Sequence, residues 1–102
     1  MKNTTLLILL SLFITSCNNL VEEVKERYDN GKSKVVEYYK KVGDNQELVR
    51  KIDFYENGQI REEKNYKDGE GDGKETWYHE NGQIQSERNY KDGKMDGKYT
   101  WY

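Results

Sequence analysis

The sequence predicts an all-β fold: an antiparallel meander of stacked β-hairpin repeats forming an elongated single-layer sheet. Three observations predict it. Residues 56–78 and 80–102 share 17 of 23 residues without a gap, at a period of 24. Asn-Gly and Asp-Gly pairs punctuate each copy between short runs that favour strands. Nine tyrosines and two tryptophans supply large side chains that pack on a pleated surface, in a chain whose mean hydropathy is −1.19. A fixed period of this length means that one supersecondary unit is stacked on itself. Function is then expected from a repeated surface and not from a buried catalytic centre.

The first element, residues 1–16, differs from the rest. Lys2 gives a small positive start, and residues 6–14 are an apolar run broken only by Ser11. This reads as an export signal, too short for a membrane-spanning helix, which needs about 20 apolar residues. Ile14-Thr15-Ser16-Cys17 resembles the bacterial lipobox, which implies cleavage before Cys17 and attachment of a diacylglyceryl group to its sulfur. Cys17 is the single cysteine, so no intramolecular disulfide can form. Diacylation with a further acyl chain such as palmitate meets the need for more than one buried chain in a stable anchor. Asn18 is not the aspartate that signals inner-membrane retention in some double-membraned bacteria, so an outer-membrane or surface location is permitted. Residues 17–23 are expected to be a lipidated tether and 24–102 the repeat domain. Residues 20–27 stay ambiguous between a short helix and a strand, since Leu20, Val21 and Val24 fit either.

A degenerate copy is expected over 28–55, because Tyr28-Asp29-Asn30-Gly31 matches Tyr55-Glu56-Asn57-Gly58. Its strands would be 33–39 and 48–55, joined by a loop over 40–47. In the first clear copy, residues 60–66 form a strand that, if unbroken, places Ile60 and Tyr66 on one face. Residues 67–73 form a loop with Asp-Gly pairs at 68–69 and 72–73, and 74–78 return. Glycine accepts the positive φ of tight connections, and aspartate tolerates it. Asn57-Gly58 and Asn81-Gly82 are the turns between units.

The block Tyr90-Lys91-Asp92-Gly93-Lys94-Met95-Asp96-Gly97-Lys98 resembles the MORN repeat. Glu-Asn-Gly-Gln followed by that block resembles its bacterial variant, found in exported proteins labelled YwqK-type antitoxins of toxin–antitoxin systems. The resemblance implies a binding role and no chemistry. Where MORN repeats commonly carry glycines on both strands, this chain has Lys64, Arg88, Glu75 and Tyr99, so lipid recognition is not carried over.

Without residues 1–16 the formal charge is −3, with both signs interspersed and no basic field for nucleic acid. His79, the single histidine, lacks a second histidine or repeated serine nearby and reads as a solvated turn residue instead of a catalytic base. Residues 68–73 resemble the opening of a calcium loop, but His79 stands where such a loop needs a bidentate acid and Lys94 breaks the second copy. A hairpin loop is the better reading, with no metal and no cofactor.

Tyr66, Trp77, Tyr78, Tyr90, Trp101 and Tyr102 recur in register and are expected to form aromatic ladders. One of the neighbours Trp77 and Tyr78 must point away from whichever face is packed, so one ladder is the candidate binding surface. The sequence therefore predicts a membrane-anchored, non-enzymatic module that binds a protein, in the antitoxin-like sense the resemblance implies. The alternative is a carbohydrate or cell-wall binder stacking sugar rings on the same aromatics. The last strand, 98–102, is a strong strand former with one charge, and edge-strand self-association is expected of it.

Overall fold

The structure is a computed structural model that describes residues 20–102. The signal segment, the lipobox and Cys17 lie outside the described residues. Seven strands follow one another, β1 (Leu20–Arg27), β2 (Ser33–Val42), β3 (Asn45–Phe54), β4 (Ile60–Lys67), β5 (Glu70–Tyr78), β6 (Ile84–Lys91) and β7 (Lys94–Trp101). They form one sheet in sequence order, every neighbour antiparallel. The all-β meander expected from the repeat is thus what the chain forms, within extents of 46 × 36 × 21 Å.

Three boundaries differ from the sequence expectation. Residues 20–23, expected as tether, are the first half of β1, where Leu20 pairs with Lys40 and Val21 with Tyr39. Two β-branched or apolar residues followed by Val24 were enough to extend the sheet once β2 offered an edge. The loop expected over 40–47 shrinks to Gly43 and Asp44, because Val42 pairs with Asn45 and Lys41 with Gln46. Only the first Asp-Gly pair of each clear unit closes a hairpin: Asp68 and Gly69 both have positive φ (51° and 82°), as do Asp92 and Gly93 (52° and 82°). This is the primed two-residue turn whose twist matches the strands it joins.

The second Asp-Gly pair lies inside the return strand and makes a bulge. Lys64 pairs with Glu75 and Tyr66 with Gly71, so Asn65 faces three residues, with Gly73 at φ 93°. Asn65 Nδ2 donates to the Lys74 carbonyl at 2.9 Å and restores a bond that the bulge removes. The same shift recurs in the second copy between Arg88–Tyr99 and Tyr90–Met95.

At the opposite pole the turns at 28–32, 55–59 and 79–83 share one pattern. In the middle one, Tyr55 N–H donates to Gln59 O at 2.8 Å, Gly58 N–H to Tyr55 O at 3.0 Å, and Gln59 N–H to Asn57 Oδ1 at 2.9 Å. Tyr28 and Tyr55 also reach across to the next hairpin, each hydroxyl donating to a carbonyl, Phe54 O at 2.6 Å and Tyr78 O at 2.7 Å. His79 takes their place in the third turn and is exposed.

Paired residues share a face, so the register defines two surfaces. On the first face, one rung runs Val24, Val36, Ile52, Glu63, Thr76, Glu87, Thr100. Val36 and Ile52, 2% and 6% exposed, are its buried apolar centre. On the second face, one rung runs Glu37, Lys51, Lys64, Glu75, Arg88, Tyr99, and the next Val35, Asp53, Glu62, Trp77, Ser86, Trp101. An extra residue between Ile60 and Glu62 breaks the alternation of β4. Ile60 pairs with Phe54 on the first face while Tyr66 lies on the second, against the expectation that they share one.

Candidate functional site

The six aromatic positions singled out by the sequence are divided between the faces. Tyr66, Trp77, Tyr90 and Trp101 lie on the second face by their register. Tyr78 and Tyr102 lie on the first, beside its glutamates: Tyr102 Oη donates to Glu87 Oε1 at 2.9 Å, and burial followed by the charges of Glu63 and Glu87 raises the Tyr78 hydroxyl pKa. Neither set forms a continuous ladder. The buried Ser86 separates Trp77 from Trp101, and the glycines of β5 separate Tyr66 from Tyr90.

Cations fill the gaps between rings. Lys64 Nζ sits 5.5 Å from the centroids of both Tyr66 and Tyr90. The Arg88 guanidinium lies 5.8 Å from the Tyr90 ring and 4.7 Å from Tyr99, which stacks on Trp101 at 5.1 Å with a 22° interplanar angle. The second face therefore carries a Tyr66–Lys64–Tyr90–Arg88–Tyr99–Trp101 row in which aromatic and cation alternate before ending in two stacked rings. The Tyr90 ring and Lys64 Cε lie over Gly71, where a Cβ would meet them at 3.7 Å and 3.6 Å, an ordinary contact distance.

An acidic pair lies against the row. Glu75 is 4% exposed, and its Oε1 lies 2.9 Å from Arg88 Nε. Both atoms are buried without an aligned hydrogen bond, so the contact is an ion pair whose N–H points off the line to the oxygen. Trp77 Nε1 is also buried without an acceptor. Burial, then a hydrogen bond and repulsion from Glu75, then repulsion from Asp53, push the Glu62 carboxyl up to about 8, with Lys64 opposing. The same causes favour the protonated form of Glu62 beside Glu75. A cleft of about 100 Å³ opens beside the pair, lined by Lys51, Asp53, Glu62, Lys64 and Tyr66. Among the described residues no group of three or more His, Cys, Asp or Glu could hold a metal ion.

Sequence reasoning missed Lys64, Arg88, Glu75, Tyr99 and Glu62 as site residues, although a signal was present. The two copies differ at only six positions, 61/85, 62/86, 64/88, 70/94, 71/95 and 75/99. Four of these, Glu62/Ser86, Lys64/Arg88, Gly71/Met95 and Glu75/Tyr99, sit in second-face rungs. The first-face positions Glu63/Glu87, Asn65/Asn89 and Thr76/Thr100 are identical in the two copies. The first face differs at Glu70/Lys94, beside the hairpin turn, and the second face is where most of the differences gather, around fixed aromatics.

No curated protein and no solved structure matches the chain. Residues 51–68 and 71–92 match the family model described as MORN repeat variant. The matched segments span β4, most of β5 and β6, from which the aromatic–cation row is largely built. Over these segments the chain is similar to MORN-variant repeats.

Proposed function

We propose that this chain is a lipid-anchored, non-enzymatic binding module that takes a protein partner on its second face, in the manner of an antitoxin or immunity component. The observation that carries this reading is the concentration of the differences between copies on that face, around Tyr66, Tyr90, Trp77 and Trp101. Tyrosine, tryptophan and arginine held rigidly by one another are the side chains that contribute most to protein interfaces. Protonated Glu62 leaves Lys51, Lys64 and Arg88 facing Asp53 and Glu75, so a partner presenting carboxylates is favoured. Cys17 supplies the anchor and the cell envelope the location, as the lipobox resemblance implies.

The carbohydrate alternative is disfavoured by one feature. A sugar ring needs an open aromatic face, and Lys64 and Arg88 lie over Tyr66, Tyr90 and Tyr99. The test is a pull-down from secreted and envelope proteins, run beside binding to purified wall polysaccharide. Lys64→Glu and Tyr99→Ala, each shown to be folded by circular dichroism, should lose a protein that the first-face variant Glu87→Gln retains. Retention of polysaccharide that is lost in the same two variants would replace the protein reading with the sugar one.

A further inference from the structure

The start of β1 fixes how an anchored chain can sit. Leu20 pairs with Lys40, so β1 begins at the pole that carries the Gly43-Asp44, Asp68-Gly69 and Asp92-Gly93 turns. Two residues, Asn18 and Asn19, separate Cys17 from Leu20, a reach of at most about 11 Å even when fully extended. The Asn-Gly turns lie at the far ends of strands eight to ten residues long, about 27 Å or more away. We infer that the Asp-Gly pole rests on the phospholipid surface and that the sheet stands upright on it, its Asn-Gly pole and both faces clear of the bilayer. This rests on the anchoring of Cys17 proposed above.

The side chains at the two poles fit this orientation. Val42 and Met95, 50% and 53% exposed, stand at the Asp-Gly pole. Exposed lysines surround them: Lys40, Lys41, Lys67, Lys91 and Lys94. Apolar tips among flexible cations suit the headgroup boundary, where the tip enters and the ammonium stays wet. Asp44, Asp68, Glu70, Asp92 and Asp96 balance those lysines, so the contact is held by the tether and not by a basic field. Lying flat is disfavoured on either side. The first face would press Glu22, Glu63 and Glu87 against phosphates while Val36 and Ile52, already buried, gained nothing. Lying on the second face would cover the surface proposed for the partner and set Asp53 against the phosphates.

The test uses the full chain acylated in a bacterial host and reconstituted in phosphatidylcholine vesicles. An acylated Cys17 has no free thiol, so a maleimide fluorophore reacts only with an introduced cysteine. Asp44→Cys and Glu70→Cys mark the Asp-Gly pole, and Glu56→Cys and Glu80→Cys the Asn-Gly pole; all four sites are exposed. Nitroxide headgroup lipids should quench the first pair several-fold more than the second, and raised salt should not release the protein. Equal quenching at both poles, or stronger quenching at 56 and 80, on a chain whose Cys17 is acylated overturns the upright orientation alone. A mass spectrum without acyl groups on Cys17 overturns the anchor, and this inference with it.

Discussion

The upstream hairpin β2–β3 and the clear repeats β4–β7 share one architecture yet are held together differently. On the central rung of the first face, β1–β3 place Val24, Val36 and Ile52, whereas β4–β7 place Glu63, Thr76, Glu87 and Thr100. The buried apolar residues lie upstream, and the buried residues of the repeats are Glu75, Thr76 and Ser86. A single-layer sheet has no second layer to cover its apolar residues. The upstream hairpin therefore concentrates aliphatic burial at one rung, and the repeats substitute ion pairing and cation–aromatic contact on the other face. Aliphatic burial is concentrated at one end of the sheet, and the repeats at the other end vary their side chains.

The largest effect that could break this comparison is at Ile52. Ile52→Ala should cost about 2–3 kcal/mol by removing buried aliphatic volume, while Thr76→Ala, on the same rung, should cost less than about 1 kcal/mol. Equal losses in urea denaturation would show that the two regions are not held differently. Next, Arg88→Ala should cost about 2 kcal/mol, because it strands the buried Glu75 carboxylate and removes a cation from two rings. A double-mutant cycle with Glu75→Gln should recover part of this, and a coupling near zero would mean that the pair contributes nothing.

Smaller is the pH effect of Glu62. Its folded pKa, about 8, exceeds the ordinary 4.5, so its contribution is fully present below about pH 4.5 and is lost as pH rises through 8. Wild-type melting temperature should fall over that window. Glu62→Gln should flatten the fall and exceed wild type at pH 9 by about 1 kcal/mol after allowance for solvent screening. The smallest effect is at Tyr55. Tyr55→Phe should cost about 0.5 kcal/mol through the lost bond to Tyr78 O, and hydrogen exchange should rise at the β5–β6 turn before it rises in β2.

The fold was legible because turn chemistry and period agree. Asn57-Gly58 and Asn81-Gly82 could only be turns, and the 24-residue repeat could only stack. The start of β1 was not legible, since Leu20, Val21 and Val24 satisfy a helix as well as a strand until β2 supplies a partner. Two adjacent Asp-Gly pairs in one unit look alike in sequence. Which of them closes the hairpin and which becomes a bulge depends on Asn65 capturing the Lys74 carbonyl, a contact between residues nine apart. That choice carries through to the site. Each bulge resets the alternation of side chains, so Trp77 and Tyr78 could be assigned to opposite faces from sequence, but the insertion of Lys64 between Tyr66 and Tyr90 could not. Four of the six differences between copies fall on one face, and only the register reveals it.

Every one of the six strand pairings contains a register shift. The strands carry tyrosines and valines of high strand propensity and no proline interrupts them, and fibrils grow by stacking flat strands in register with their copies. Repeated shifts twist and interrupt each ladder, so no long flat strand is offered as a template. The bulges at Gly73 and Gly97 thus interrupt the flat ladders through which near-identical, strand-loving copies could pair with one another.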